Sequence, residues 1–171
     1  IFYQKRDQIN RSRISEWNIV YENNFAAPRN LHRSLNSYVA KSDYHTKTGK
    51  HYEVRVGMMN FSIVGRNADK EQRLQYEQYD LETGERKRIT DKLRKKYPEL
   101  DFVIGGAVSI DIFNKGKDKS QIIDRYFKES LTGNEIHFVG DRIPYPGNDN
   151  ALAVRLQSSE NGYVYEVDSW E

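Results

Sequence analysis

The chain has 171 residues, with 27 Lys and Arg against 25 Asp and Glu for a formal charge of +2, and that near-balance argues against a dedicated nucleic-acid binder, which needs a basic excess on one face. With 37% hydrophobic and 12% aromatic residues it can bury the core of one or two small domains, and with no cysteine it excludes a disulfide scaffold, a zinc-thiolate site and a cysteine nucleophile. The longest mostly apolar stretch, 102–113, is interrupted by Asp111 and falls short of the about 20 residues a membrane span takes; the basic N-terminus has no apolar run behind it, so no secretory signal is expected and a reducing, cytoplasmic compartment is the default.

In chain order, Ile1 to Ile14 reads as a short hairpin. Ser15 is a candidate N-cap, and the stretch to Val39 is moderately helical, with Pro28 breaking or beginning an element. Leu31, Leu35 and Tyr38 fall on one helical face. The period then changes: Tyr52, Val54 and Val56 alternate with Glu53 and Arg55, Gly57 supplies a turn, and Met59, Phe61 and Ile63 alternate again, which predicts two strands around a tight turn. Segments 69–79 and 90–97 are charged and helical, with Ile89, Leu93 and Tyr97 one turn apart and Pro98 as the stop. Segment 102–113 is a strand pair or bent strand around Gly105 and Gly106. Segment 120–127 is a helix with Ile122, Ile123 and Tyr126 inward. Segment 135–139 is a short buried strand and 163–167 a final strand. The character changes near Asn114, from an antiparallel sheet with helices to part of a parallel α/β unit.

Four groups of residues carry possible chemistry. The strand ending at Gly140 delivers a loop with two carboxylates, Asp141 and Asp149. Ligands of open α/β sheets bind beyond the carboxyl ends of strands, and hard oxygen donors there suit Mg²⁺; a plain Pro/Gly surface loop explains the same residues about as well. Lys119 precedes a helix, where it is suited to neutralising a phosphate or a phosphorylated carboxylate, although three lysines in the six residues 114–119 more commonly mean solubility. Arg55, Arg66 and Arg73 are suited to converging on a phosphate through forked hydrogen bonds, against the ordinary fate of solvated arginines. Ser109 and Asp111 share one strand face, which suits sugar hydroxyls; the alternative is the solvent face of an edge strand.

Three stretches, RVGMMNFSIVGRNADKEQR (55–73), GGAVSIDIFNKGKDK (105–119) and FVGDRIPYPGND (138–149), occur in an order that resembles the eukaryotic-type phosphomannomutases of the haloacid dehalogenase superfamily. The resemblance implies an α/β fold: an α+β cap of antiparallel sheet and helices over 14–113, a junction hairpin over 1–13, and the C-terminal part of a Rossmannoid core over 114–171. It implies that Arg55, Arg66 and Arg73 bind the non-reacting phosphate of a hexose phosphate or hexose bisphosphate, that Ser109 and Asp111 meet the sugar hydroxyls, that Asp141 and Asp149 belong to the Mg²⁺ site, and that Lys119 stabilises a phospho-aspartyl intermediate. The implied reaction moves phosphate between positions 1 and 6 of mannose, in a homodimer formed through the cap.

The sequence departs from the family at Lys117, where a Trp is usual, and at Pro146, where a Gly is usual. No Asp-x-Asp pair stands near Ile1, so the chain is expected to open after the first half of the core, to lack the family's last helix, and to be inactive alone. A phosphatase of sugar phosphates or nucleotides in the same superfamily, and a non-catalytic binding or assembly module, are the other readings. For the module, the basic run 86–96 would be the partner surface.

Overall fold

A computed structural model describes residues 2–3, 18–19 and 22–168. Phe2–Tyr3 (β1) pairs antiparallel with Asn18–Ile19 (β2). That partner falls beyond the hairpin expected over 1–14 and within the stretch expected to be helical; the other residues of that hairpin, and the helix start expected at Ser15, lie outside the described residues. The helical reading up to Val39 holds only in its last part. Residues 22–28 are irregular, and helix α1 spans Leu31–Lys41 with the Leu31 amide donating to the Pro28 carbonyl. A proline disfavours helical backbone in the residue before it, so the helix begins behind Pro28. Leu31 and Leu35 are fully buried, as their spacing predicts.

The central element is a four-stranded antiparallel sheet in the order β3-β4-β6-β5. Strands β3 (Tyr52–Arg55) and β4 (Met58–Phe61) are joined by a turn in which Gly57 has φ +75°, a conformation that favours glycine. Strands β5 (Leu100–Gly105) and β6 (Ser109–Asn114) form the expected pair around Gly105 and Gly106. Because β6 also pairs with β4, it is an interior strand, and the edge-strand alternative for Ser109 and Asp111 is wrong.

One face of this sheet carries Met59, Phe61, Phe102, Ile110 and Ile112, all within the principal core. Helix α2 (Lys70–Thr83) contributes Tyr76 to that core, and α3 (Glu85–Lys96) contributes Ile89 and Leu93. The opposite face carries Glu53, Arg55, Asn60, Asp111 and Phe113, since successive strand residues point to opposite sides. That second face is the polar one on which the site is built. Helix α2 starts with a capping box, in which Asp69 accepts from the Gln72 amide and the Gln72 side chain accepts from the Asp69 amide.

Beyond Asn114 the architecture changes, as the sequence implied. Strand β7 (Ile136–Gly140) runs parallel to β8 (Gly162–Glu166), with α5 (Asn150–Gln157) in the crossover, a βαβ unit. A second core of Ile123, Leu131, Leu152 and Leu156 packs with Ile136, Phe138 and Val164; Leu131 lies on the short helix α4 (Ser130–Gly133).

Two expectations fail here. The helix over 120–127 contains a π-turn at Ile123–Phe127. The wider turn rotates Tyr126 out of line with Ile123, so Ile123 is buried while Tyr126 is 40% exposed. Strand β7 is not buried on both sides: Ile136 and Phe138 pack inward, but Val139 is 59% exposed. Its described sheet partner is β8 alone, and the second core covers only the inward face.

Candidate functional site

Arg55 and Arg66 approach each other on the polar face of the sheet. Arg55 ends β3, two residues after Glu53 and on the same face. Arg66 follows Gly65, whose φ is +88° and where a Cβ would lie 1.8 Å from the Thr48 carbonyl oxygen, so no larger residue can make this turn. The Arg66 amide then donates to the Lys50 carbonyl, which fixes the start of its side chain. Both guanidinium groups reach Glu53 Oε2: Arg55 through Nε at 3.1 Å and Nη2 at 2.8 Å, Arg66 through Nη2 at 2.9 Å. The Arg55 hydrogen bonds are the leading reason the Glu53 carboxyl titrates below the usual range.

Arg73, in the first turn of α2, points back along the chain. Its Nε donates to the Ala68 carbonyl at 2.9 Å and its Nη2 to the Arg66 carbonyl at 3.4 Å. These two bonds hold the backbone that presents Arg66. The three arginines are therefore neighbours, but only Arg55 and Arg66 share a partner carboxylate.

Asn60 extends the arrangement across the sheet. It is buried on β4, accepts from Arg66 Nη1 at 2.9 Å and donates to Asp111 Oδ1 at 2.8 Å. Asp111 Oδ2 accepts from Asn148 Nδ2 at 3.2 Å. A side chain at Gly105 would place its Cβ 2.4 Å from Asp111 Oδ2, so this carboxylate lies over bare backbone. Ser109, two residues earlier on β6, is buried, and its carbonyl accepts from Arg86 Nη1 at 3.3 Å.

Asn148 belongs to the loop 141–149, which is tied to the end of β5. The Ile104 amide donates to the Pro146 carbonyl at 2.9 Å, and the Asn148 amide donates to the Ile104 carbonyl at 3.0 Å. Arg142 Nη2 pairs with Glu77 Oε1 of α2 at 3.1 Å, and Arg94 of α3 donates to the Tyr145 hydroxyl with its guanidinium 4.8 Å from the ring centre. These contacts carry the loop from the βαβ unit onto the antiparallel sheet.

Between the two lies a cavity of about 420 Å³, lined by Asp111, Lys119 and Asn148 with Met58, Phe113 and Leu152. Two of the sequence-selected residues, Asp111 and Lys119, thus face one space. Arg66 lines a separate depression with Lys50, His51 and Glu53.

Lys119 Nζ is 2.5 Å from Asp149 Oδ1. Asp149 is 4% exposed, and its Oδ2 accepts from the Arg142 amide at 3.2 Å, so both oxygens are engaged. Asp141 differs: it stands at the carboxyl end of β7, is partly exposed, and has no hydrogen-bond or ion-pair partner among the described residues. No three Asp, Glu or His side chains meet in a metal-holding group among those residues. The donor set is one or two carboxylates, the number Mg²⁺ takes when waters and phosphate oxygens complete its octahedron.

Sequence reasoning missed Glu53, Asn60 and Asn148. Glu53 carried a signal, since it alternates with Arg55 on one strand face. Asn60 and Asn148 carried none, because their roles follow from strand order and from where the loop docks.

The eukaryotic phosphomannomutase family profile matches residues 8–162. The chain is 38% identical to the phosphomannomutase of Saccharomyces cerevisiae over 119 residues, which cover 68% of this chain and 46% of that protein. It is 41% identical to the phosphomannomutase of Glycine max over 118 residues, 67% of this chain and 46% of the relative. It is 40% identical to that of Solanum lycopersicum over 117 residues, 67% and 45%. The matched part spans less than half the length of these curated relatives. With its motifs, its antiparallel sheet and its βαβ unit, the chain belongs to the eukaryotic phosphomannomutase family.

Proposed function

We propose that this chain is the cap and C-terminal core portion of a Mg²⁺-dependent phosphomannomutase, which interconverts mannose 1-phosphate and mannose 6-phosphate through a phospho-aspartyl enzyme and a hexose bisphosphate. The observation that carries this reading is the single cavity shared by Asp111 of the antiparallel sheet and Lys119 of the βαβ side. A hexose with phosphates at both ends needs a sugar-recognising face opposite a reacting phosphate, and these two residues supply one group of each kind.

In this reading the cap covers 14–113 and the core portion 114–171, a division supported by the change of sheet type after β6. Arg55 and Arg66 bind the non-reacting phosphate, and Arg73 braces Arg66 through its carbonyl oxygen. Asp111 accepts from sugar hydroxyls, with Ser109 beside it on the same strand. Lys119 places a positive charge where the reacting phosphoryl group gains negative charge, and Asp149 holds that ammonium in position. Asp141 would hold Mg²⁺ through a carboxylate that has no partner among the described residues, with Asp149 supporting the loop, and the bound ion would polarise phosphoryl oxygens. A homodimer built through the cap and a cytoplasmic place in GDP-mannose biosynthesis belong to the same reading. No helix among the described residues is long and apolar enough to cross a membrane.

The test is turnover. The full-length protein, given Mg²⁺ and a hexose bisphosphate activator, should interconvert the two mannose phosphates. No interconversion overturns the proposal. Release of inorganic phosphate without need of bisphosphate would favour a phosphatase, and binding without any turnover a non-catalytic module.

A further inference from the structure

Glu53 is the point where the two arginines meet, and its geometry imitates a phosphoryl oxygen. A single atom, Oε2, accepts two N–H groups from Arg55 and pairs at 2.9 Å with the Arg66 guanidinium. Forked donation of this kind is how arginine binds both carboxylates and phosphates. The carboxylate is therefore seated on the donors that an incoming phosphate would use.

Its attachment is loose. The Glu53 side chain is 46% exposed, and Oε1 has no partner among the described residues. Arg66 has a second anchor in buried Asn60, which stays with the guanidinium when Glu53 leaves. Arg55 has no other side-chain partner among the described residues and can follow a ligand. A phosphate monoester carries about −1.5 to −2 charges near neutral pH, against one on the carboxylate, so the phosphate holds the stronger claim on the pair.

We propose that Glu53 is a displaceable occupant of the Arg55–Arg66 seat, a specificity-determining residue that swings out when the non-reacting phosphate binds and sets how tightly that phosphate is held. The inference rests on the reading that these arginines bind that phosphate. The carboxylate halves the charge of the seat, from two guanidinium charges to one net positive charge, so weakly charged anions gain less there than a dianion does. It also makes every binding event an exchange, which keeps affinity low enough for a bisphosphate to turn around and present its other end.

The experiment measures inorganic phosphate binding by titration calorimetry at neutral pH. The proteins are the full-length wild type and its Glu53→Gln, Arg55→Ala and Arg66→Ala variants, with thermal midpoints recorded for each. Glu53→Gln removes the competing charge but keeps the size of the side chain. The expected result is phosphate bound about three- to tenfold more tightly, the range a partly screened charge supplies, with an unchanged midpoint and a lower KM for mannose 6-phosphate. Unchanged or weaker phosphate binding in Glu53→Gln, with Arg55→Ala and Arg66→Ala both weakened, overturns the displacement and leaves Glu53 as a brace for the arginines. If neither arginine variant changes phosphate binding, the phosphate seat itself is wrong, and the inference falls with it.

Discussion

Lys119 Nζ lies 2.5 Å from Asp149 Oδ1, joining an ammonium half in solvent to a carboxylate almost wholly withdrawn from it. The carboxylate is admitted because residue 140 is glycine: a Cβ there would lie 2.7 Å from Asp149 Oδ2. The asymmetry decides what each substitution does. Lysine can regain water when its partner is lost, but Asp149 cannot. Lys119→Met is therefore expected to lower unfolding free energy by about 1–3 kcal/mol, the cost of a buried acceptor left short of a partner. Asp149→Asn should cost less stability but should free Lys119 and lower kcat. Urea denaturation and steady-state assays measure both; equal stability in Lys119→Met would show that Asp149 finds another donor.

Gly105→Ala tests the proposed sugar role of Asp111 without replacing a polar side chain. The added methyl would fall 2.4 Å from Asp111 Oδ2, and Asp111 can yield only by stretching its bonds to Asn60 and Asn148. Gly105 has no left-handed backbone angle to defend, so the fold should survive. The expected result is a several-fold rise in KM for mannose phosphates with a small change in Tm. A normal KM would remove Asp111 from the sugar site.

Much of this arrangement is legible in the sequence, for identifiable reasons. The β3–β4 hairpin follows from strict alternation around Gly57, and the buried face of α3 follows from Ile89 and Leu93 one turn apart. The break after Asn114 is visible in the order of the predicted strands and helices. What is illegible depends on distance. Lys119 and Asp149 are 30 residues apart, and nothing local says they touch. Whether β6 is an edge or interior strand depends on strand order, which removes the edge-strand reading of Ser109 and Asp111. The π-turn that exposes Tyr126 is a register change with no distinct residue pattern. Arg73 looks like Arg66 in the sequence, yet the donors placed here go to backbone carbonyls.

The turn between β5 and β6, the strand of Asp111, is held from behind by Arg86. Its Nε pairs with Asp80 Oδ2 at 2.7 Å, its amide donates to Asp80 Oδ1 at 2.6 Å, and its Nη1 reaches the carbonyls of Gly106 and Ser109. Both side chains are buried. Arg86→Ala strands Asp80 and should cost about 3–5 kcal/mol. The double variant Arg86→Met with Asp80→Leu should recover part of that loss in chemical denaturation, since no lone charge remains. Recovery of stability without recovery of KM would separate the fold's need for the pair from the turn's need for the guanidinium.

Tyr76 supplies a prediction at alkaline pH. Its phenol is fully buried and donates to Glu85 Oε2 at 3.0 Å. Burial, and then the negative charges of Glu85 and Asp80, raise its pKa far above the ordinary value. The unfolded chain releases this proton near pH 10, about the free phenol's pKa, whereas the folded chain keeps it. Above that pH the folded state binds more protons than the unfolded one, so stability falls as pH rises, and the contribution is complete only below about pH 10. Tyr76→Phe cannot ionise, so its stability lacks this slope. It should be less stable than wild type at neutral pH, by about 1–3 kcal/mol, because Glu85 loses a donor. The difference should narrow once the pH exceeds that of the free phenol. Comparing the two proteins cancels the other tyrosines raised by burial, Tyr38 and Tyr79. A gap that stays constant across the range would mean that the Tyr76 phenol ionises as readily in the fold as in water.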